Sequence, residues 1–253
     1  MIWTILNNGT EQTLAGWGLE QVKRTLISQG QDTLTFRAPG QPVDAAPLFA
    51  YLSAVTLYRN RTLGTDGTYS GGVIWFSGIV TQTPSMGSPT AEQMDYVVSG
   101  PWWYLEHLLF QQPYRIITGY TTASPPAPIY DTTQSTTHLF LNIAPVDYAT
   151  PNPPPFADML TTGQQIIEAL NWTLRPFLDN STPPPFAIGT ITPNAYVPHD
   201  EVRDITCAEV VHKELRWTPD AVTWFDYTTT PPTFHCVRRA DMGAAIALDM
   251  SQT

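Results

Sequence analysis

The sequence predicts a mainly β protein with three short helices, and three observations support this fold class. Short segments in which apolar and polar residues alternate recur through the first hundred residues, and two more lie near the C-terminus. Turn signals rich in glycine and asparagine separate many of these segments. Apolar residues at helical spacing are confined to three stretches, so helices are expected to be a minor part of the fold.

Four of the strands predicted in the first hundred residues, at 1–7, 21–28, 32–38 and 53–59, show a period of two. One strand places Leu34 and Phe36 on the same face, and another does so with Val55 and Leu57. Gly78 interrupts an apolar strand, which is typical of a bulge or a sharp bend. The predicted strands cover residues 1–7, 21–28, 32–38, 53–59, 72–82 and 94–99.

Three segments carry helix signals. Pro101 suits the first turn of a helix, and apolar residues at helical spacing follow it until Pro113. The other two helices are predicted from the capping-box patterns TGQQ at 162–165 and TCAE at 206–209. Further strands are predicted at 138–143, 221–227 and 233–239.

Composition divides the chain into three ranges. Residues 114–190 hold the proline runs 125–126, 153–155 and 183–185, many threonines and almost no charge. Short ordered elements between such loops favour an inserted subdomain over a linker. We therefore predict a first β domain at 1–100, an inserted helix- and loop-rich subdomain at 101–185, and a second barrel-like domain at 186–253.

The charge of the chain argues against nucleic-acid binding. Its 253 residues contain 22 acidic and only 12 basic side chains, which gives a formal net charge of −10. The only lysines are Lys23 and Lys213, whereas binding a phosphate backbone requires clustered cations. With no signal peptide and no apolar run of about 18 residues, we expect a soluble protein made in a reducing cytoplasm, without a membrane partner.

Candidate reactive residues are few. Cys207 and Cys236 are 29 residues apart and are predicted to be core residues rather than a redox pair. Glu209 and His212 have a spacing that metal sites use, but the second helix that such a site needs is missing, so a solvated helix face is the favoured interpretation. The acidic pair in His199-Asp200-Glu201 is interpreted as favouring a helix dipole. We predict no catalytic, cofactor-binding or metal site.

The aromatic run Trp102-Trp103-Tyr104 has two interpretations. Three neighbouring aromatic side chains can form a platform on which a sugar stacks. They also lie where a strand passes into a helix, and there we favour core packing or a subunit interface.

Four stretches of the sequence resemble one known family. Residues 33–59 contain a strand, a short connection and another strand, and 74–82 (IWFSGIVTQ) is similar to that family's F-x-G-x-I strand. Residues 96–112 (YVVSGPWWYLEHLLFQQ) pass from a strand through Gly-Pro into an aromatic helix, and 216–239 completes the pattern. With these stretches the chain resembles the tail hub or baseplate hub proteins of tailed bacteriophages, whose trimer closes the distal end of the tail tube.

The resemblance implies a fold and a place in a virion. Family members carry two tube-type β-barrel domains with smaller domains inserted between them. Here residues 1–100 would form the first barrel, 101–185 the Pro/Thr-rich insertion and 186–253 the second barrel. Few strands are predicted after residue 239, so the second barrel would be reduced, completed by a neighbour, or cut short by truncation of the chain.

The same resemblance implies partners. A homotrimer would supply six barrels to a ring that docks onto a hexameric tail tube and lets DNA pass through its lumen. The expected partners are a tail tube or distal tail protein, tip, spike or fibre proteins, and a tape measure protein. No enzymatic activity, cofactor or sequence-specific nucleic-acid binding is expected, and the location would be the virion tail.

Two other function classes stay open from the sequence. One is a carbohydrate-binding or adhesin-like β module of a phage or bacterial surface apparatus, which would use exposed aromatics such as Trp102, Trp103 and Trp224. The other is a hydrolase, such as a tail component that degrades cell wall. It would use carboxylates that the sequence does not single out.

Overall fold

The structure is a computed structural model that describes residues 2–39, 46–83, 85–88, 91–110, 117–120, 122, 128–130, 139–142, 159–178 and 183–242. The expected features at 113, 125–126, 153–155 and 243–253 lie outside these residues. The prediction of a mainly β fold with three helices is confirmed.

The chain divides into two compact units, each assembled from separate segments. The first unit comprises Met1–Tyr104, Phe177–Gly189 and Thr223–His235, and the second comprises Leu105–Pro176, Thr190–Val222 and Cys236–Thr253. The domain ranges 1–100, 101–185 and 186–253 stay predictions.

The first unit is built on an antiparallel sheet of nine strands. Its main path runs in the order β2-β1-β5-β7-β9-β4-β3, while β6 pairs with β5 and β8 pairs with β9. The strands are β1 (Ile2–Asn7), β2 (Thr10–Thr13), β3 (Glu20–Thr25), β4 (Thr33–Pro39), β5 (Ala54–Leu63), β6 (Tyr69–Ser70), β7 (Val73–Gln82), β8 (Ser85–Ser88) and β9 (Ala91–Ser99).

The predicted alternation is present in this sheet. β4 buries Leu34 and Phe36, and β5 buries Val55 and Leu57, while the residues between them are less buried. The tight connection between β1 and β2 has a positive φ at Asn8 and at the glycine that follows it, as a two-residue hairpin requires.

Aromatic side chains fill the space inside this sheet. Phe36, Phe49 and Tyr96 have ring centroids 5.1–5.4 Å apart, and Trp17 lies 5.1 Å from Phe49. The polar atoms of the cluster are satisfied: the Tyr96 hydroxyl accepts from the backbone N–H of Leu48 at 2.7 Å. Such rings bury much apolar area and prefer these tilted contacts, so the cluster stabilises the interior of the unit.

The sheet is curled, because its two edge strands are consecutive in sequence. A flat sheet would hold β2 and β3 six strand spacings apart, or about 29 Å, whereas the connection from Thr13 to Glu20 spans about 24 Å even when extended. Residues 14–19 are folded further by turn hydrogen bonds such as Leu19 N–H to the Leu14 carbonyl at 2.9 Å. Within the described residues β2 and β3 are not paired, so the barrel expected from the resemblance is present as an open, curled sheet.

Gly78 marks a close backbone approach, and bulges lie on either side of it. A Cβ at this position would collide with the carbonyl oxygen of Ser99 on β9. The register of β7 gains one extra residue at Trp75 opposite β5 and another at Thr81 opposite β9. The sequence therefore indicated an irregular strand correctly, but the bulges are not at the glycine itself.

The helices and the remaining strands complete the chain. Helix α1 spans Trp102–His107, shorter than predicted. The other elements are β10 (Ile117–Tyr120), β11 (Pro128–Tyr130), β12 (Leu139–Leu141), α2 (Thr162–Leu174), β13 (Ala187–Ile191), β14 (Asp200–Val202), α3 (Cys207–Leu215), β15 (Ala221–Asp226) and β16 (Thr233–Arg238), with 3-10 turns at Arg175–Phe177 and Arg239–Asp241. Strand β10 pairs with β11, β12 pairs with β14, and β13, β16 and β15 form a three-stranded sheet in that order.

The sequence pattern located the capping box of α3 correctly and placed that of α2 one residue too late. The box of α3 is formed by Thr206 and Glu209 as predicted, whereas that of α2 is formed by Thr161 and Gln164, one residue earlier than predicted. Thr161 with Gln164 and Thr162 with Gln165 both fit the capping-box pattern, and the burial of Gln165 decides which pair is used. Gln165 is buried, and its Oε1 accepts from the backbone N–H of Asn142 at 2.7 Å, so it is not available to the helix end.

No helix in the described ranges is long and apolar enough to cross a membrane.

Replacing Gly78 by alanine tests the close approach of β7 to β9. The added methyl group has no space against a backbone carbonyl, so we expect Gly78→Ala to lower the free energy of unfolding by at least about 3 kcal/mol, beyond the usual range for single substitutions. Chemical denaturation measures the change. Ser77→Ala on the same strand is the matched control and should cost less than about 1 kcal/mol. Equal stability of the two variants would contradict the collision.

Candidate functional site

A buried carboxylate organises one side of the first unit. Asp32 is 4% exposed, and its side chain accepts hydrogen bonds from the Ile27 backbone N–H and from the Tyr227 hydroxyl, both at 2.8 Å. Burial raises the pKa of Asp32, although both hydrogen bonds act in the opposite direction. Burial, followed by the charge of Asp32, raises the pKa of Tyr227, so this hydroxyl stays protonated and donates.

Further contacts fix the chain around Tyr227 within this unit. The Gln29 N–H donates to the Thr223 hydroxyl at 2.7 Å, and the ring of Tyr227 stacks on Phe76 with centroids 5.0 Å apart. Gly100 is required at its position, because a Cβ there would collide with the Tyr227 hydroxyl. These contacts hold residues 223–227 against β7 and against the connection between β3 and β4.

The contacts place charged and aromatic side chains around a recess of about 270 Å³. Arg24 lies over the Trp75 ring, with its guanidinium carbon 4.0 Å from the ring centroid, and donates to the Trp75 carbonyl at 2.5 Å. Trp224 stacks on His235 at 5.0 Å and is 37% exposed. We call this the Arg24–Trp224 recess; its lining is Arg24, Leu26, Arg59, Ile74, Trp75, Trp224, Phe225, Asp226, Tyr227 and Thr228.

The recess has a net positive lining in an acidic protein. Arg24 and Arg59 contribute two positive charges against the one negative charge of Asp226, whose carboxylate accepts from the Thr228 N–H and hydroxyl. Neither arginine forms an ion pair with a carboxylate in the described part of the chain. Burial lowers the pKa of Arg24; the charge of Asp32 raises it, and the charge of Arg59 lowers it to a smaller extent, so the guanidinium keeps its charge at neutral pH.

A second concavity in the same unit is mostly apolar and measures about 370 Å³. Ala54, Thr56 and Tyr58 line it from β5, on the face opposite the aromatic core. The proline segments 183–185 and 231–232 border it, and the bond between Thr230 and Pro231 is cis. This second proline pair lies outside the sheet.

The structure separates the residues of the predicted aromatic platform. Trp102 is 1% exposed and packs near Phe234, with ring centroids 6.2 Å apart, so the favoured core interpretation is confirmed for this residue and a sugar-stacking role for it is wrong. Trp103 and Tyr104 are half-buried and contact each other edge to face. Trp224 is the residue of the proposed sugar set that is substantially exposed and also lines a recess.

The candidate reactive residues of the second unit have structural roles. Cys207 and Cys236 are free and fully buried, as predicted, and burial raises the pKa of these thiols to about 11 and about 12. The Glu209 carboxylate accepts from the Thr206 N–H at 2.7 Å as part of the capping box. No three His, Cys, Asp or Glu side chains among the described residues lie close enough together to hold a metal ion.

The acidic pair Asp200-Glu201, which was expected to favour a helix dipole, lies in strand β14. Asp200 pairs with Lys213 at 2.6 Å, and Glu201 lies 3.6 Å from Arg203. The interpretation that both acids serve the dipole of α3 is therefore wrong, because their charges are placed by a strand pair between β12 and β14.

Glu214 is a second buried carboxylate, this time in the second unit. Its side chain is 1% exposed on α3, and burial raises its pKa to about 7. The side-chain amide of Asn142, with its nitrogen turned towards Glu214, donates to the two carboxylate oxygens at 3.3 and 3.0 Å. No sequence signal marks this residue, because nothing in a helical pattern distinguishes one acid of an amphipathic helix from another.

Comparison with known proteins gives fold-level similarity alone. No family model and no curated protein matches the sequence. Among solved structures, the 43 kDa tail protein of prophage MuSo2 from Shewanella oneidensis is similar over 94% of this chain and 55% of its own, with a TM-score of 0.48 and 10% identity.

Two further solved proteins are similar. A tail protein from Neisseria meningitidis MC58 matches 93% of this chain and 49% of its own, with a TM-score of 0.45 and 8% identity. Prophage tail protein gp18 from Listeria monocytogenes EGD-e matches 93% and 50%, with a TM-score of 0.42 and 10% identity. The chain thus spans about half the length of these proteins, and all three are tail proteins, the group that the sequence resembles.

Removing the Tyr227 hydroxyl tests the Asp32 contact. Tyr227→Phe leaves a buried carboxylate with one donor fewer, so we expect the free energy of unfolding at pH 7 to fall by about 1–3 kcal/mol. Denaturant titration measures it. Tyr51→Phe, at a side chain that is 60% exposed, should change stability by less than about 0.5 kcal/mol. Wild-type stability of Tyr227→Phe would show that the bond contributes nothing.

Glu214 predicts a pH dependence of stability. Its pKa is higher in the folded chain, so between about pH 4.5 and pH 7 the folded state binds more protons and stability falls as pH rises. A shift of this size corresponds to about 3 kcal/mol. Glu214→Gln should therefore be more stable than wild type at pH 8 and equally stable at pH 4.5, in denaturant titrations at both values.

The exposed-carboxylate variant Glu201→Gln is the control for the loss of one negative charge. If Glu214→Gln and Glu201→Gln change stability equally at pH 8, burial of Glu214 is not the cause.

Proposed function

We propose that this chain is a structural protein of a bacteriophage or prophage tail, and that it acts as a hub without enzymatic activity. In this role copies of the chain form a ring at the distal end of the tail tube and link the tube to the tip or baseplate.

One observation carries the proposal. The first three hub-like stretches, at 33–59, 74–82 and 96–112, are separate segments of the sequence, and they supply β4, β5, β7 and β9, which are neighbours in the central part of one curled sheet. The strand that runs through Gly-Pro into an aromatic helix is β9, followed by α1. A resemblance that falls on contiguous structure describes a domain and not a set of chance matches.

The unpaired edge strands of the sheet favour association of this domain with other subunits. Unpaired edge strands expose backbone N–H and C=O groups, which natural proteins pair or protect. β2 and β3 are the ends of the described sheet, and a ring of subunits pairs or covers such edges by symmetry. We therefore place contacts between ring subunits at these edges and propose a homotrimer.

The charge of the chain suits a ring through which DNA passes. A formal charge of −10 repels phosphates, so a lumen lined by this protein would not retain DNA. The proposed partners are a tail tube or distal tail protein on one side and tip, spike or fibre proteins on the other, with a tape measure protein as a further partner during assembly.

Mass measurement and imaging of one sample test the ring. We expect light scattering of the purified protein to give three times the chain mass of 28.1 kDa, and negative-stain images of the same peak to show a central hole. A monomer at all concentrations, both alone and mixed with a tail tube protein, would contradict the hub.

A proline substitution tests whether the β2 edge is used. In the two-residue hairpin of β1 and β2, Asn7 and Thr10 are the hydrogen-bonded pair next to the turn, so alternation directs the N–H of Thr13 away from β1. Thr13→Pro removes this donor and should reduce the mass to that of a monomer with unchanged circular dichroism. Thr13→Val keeps the N–H, loses only the hydroxyl and should still assemble.

A further inference from the structure

The Arg24–Trp224 recess has the chemistry of a binding site that a tail role does not use. Arg24 and Arg59 both line the recess, and neither forms a salt bridge with a carboxylate within the described residues. Asp32 is the nearby negative charge that acts on Arg24, and it raises the pKa of this guanidinium, whereas Arg59 lowers it. Two like charges held together are unfavourable, and an anion placed between them relieves the repulsion.

Arg24 is held in place before any ligand arrives. Its guanidinium stacks on the Trp75 ring and donates one hydrogen bond to the Trp75 carbonyl. The Trp3 and Trp75 rings contact each other edge to face, with centroids 4.9 Å apart, so Trp3 helps to hold Trp75 in place. A guanidinium has five N–H groups, so most remain for a ligand. The planar fork of such a fixed arginine matches a carboxylate, and its preorganisation lowers the entropy cost of binding.

Trp224 supplies a flat apolar surface beside these charges. The stacking of its ring on His235, with an angle of 17° between the planes, fixes its orientation, and the side chain is 37% exposed. A ligand ring that presents C–H groups on one face packs well against the indole ring of Trp224. The recess therefore combines a bidentate anion contact with a ring-stacking surface.

We propose that the recess binds a single carboxylate-bearing sugar ring, such as a uronic acid unit of an acidic polysaccharide. Its volume of about 270 Å³ is slightly below the range of about 300–1,000 Å³ of pockets for drug-sized ligands, which suits one ring. A protein partner buries about 800 Å² on each side, far more than this concavity provides. Asp226 at the border accepts hydrogen bonds from Thr228 and leaves the lining net positive.

This site needs one chain only. Its Arg24 lies on β3, one of the two edges at which ring contacts are proposed, whereas the ring test at Thr13 concerns β2 alone. A monomer that binds the sugar and a trimer that does not are both possible outcomes, so the two proposals fail separately.

Titration with glucuronate, followed by tryptophan fluorescence and calorimetry, tests the inference on the full chain. We expect saturable binding in the millimolar range, with neutral glucose at least ten-fold weaker because it lacks the carboxylate. Benzoate should also bind at least ten-fold more weakly, because it carries a carboxylate but not the hydroxyl-bearing sugar ring. Absence of saturation with glucuronate, or equal affinity for glucose, would overturn the proposal; equal affinity for benzoate would assign the recess to aromatic acids instead.

Matched arginine variants localise the binding. Arg59→Gln removes an exposed charge at the recess and should weaken glucuronate binding at least ten-fold with an unchanged melting temperature. Arg203→Gln removes an exposed charge on the second unit and should leave the affinity unchanged. Equal effects of the two variants would mean that glucuronate responds to overall charge and does not occupy this recess.

Discussion

The hydrogen bond between Asp32 and Tyr227 is the constraint on which the first unit depends. It joins residues 195 positions apart, and it satisfies a carboxylate that is almost fully removed from water. Without a fixed donor, such a group would have to bind a proton or draw water into the core. The neighbouring bond from Gln29 to Thr223 and the stacking of Tyr227 on Phe76 act at the same place, so the C-terminal hairpin is held to the N-terminal sheet by several coupled contacts.

A buried carboxylate is a costly way to hold two segments together. Burial raises the pKa of Asp32, which means that the charged form loses more by desolvation than its hydrogen bonds return. An apolar pair of similar volume would give comparable stability, but it would not fix the register of residues 223–227 against the connection between β3 and β4. That register places Trp224 next to Arg24, so the cost at Asp32 is linked to the geometry of the recess.

The sequence could predict what local periodicity controls. Alternation located β4 and β5, and the pattern TCAE located the start of α3, because these features depend on neighbours along the chain. Alternation cannot say which strands meet, so the curl of the sheet was accessible only through a family resemblance. The start of α2 was misplaced by one residue because the contact of Gln165 with Asn142 is long-range. Of the residues that line the recess, the sequence indicated Trp224 alone as a candidate binding residue. The lining residues come mainly from four strands, and a sequence pattern does not show that the fold brings these strands together.

The distribution of positive charge links the fold to its proposed uses. Five basic side chains form ion pairs with acidic neighbours in the described residues: Arg37 with Asp95, Arg61 with Glu11, Arg203 with Glu201, Lys213 with Asp200 and Arg238 with Asp220. In a chain with only 12 Lys and Arg, these pairs consume much of the positive charge within the structure. The excess of acidic side chains, 22 against 12, therefore stays without basic partners. Against that background, the recess lined by Arg24 and Arg59 stays net positive although Asp226 also lines it, and an anionic ligand is the chemistry that would compensate the remaining charge.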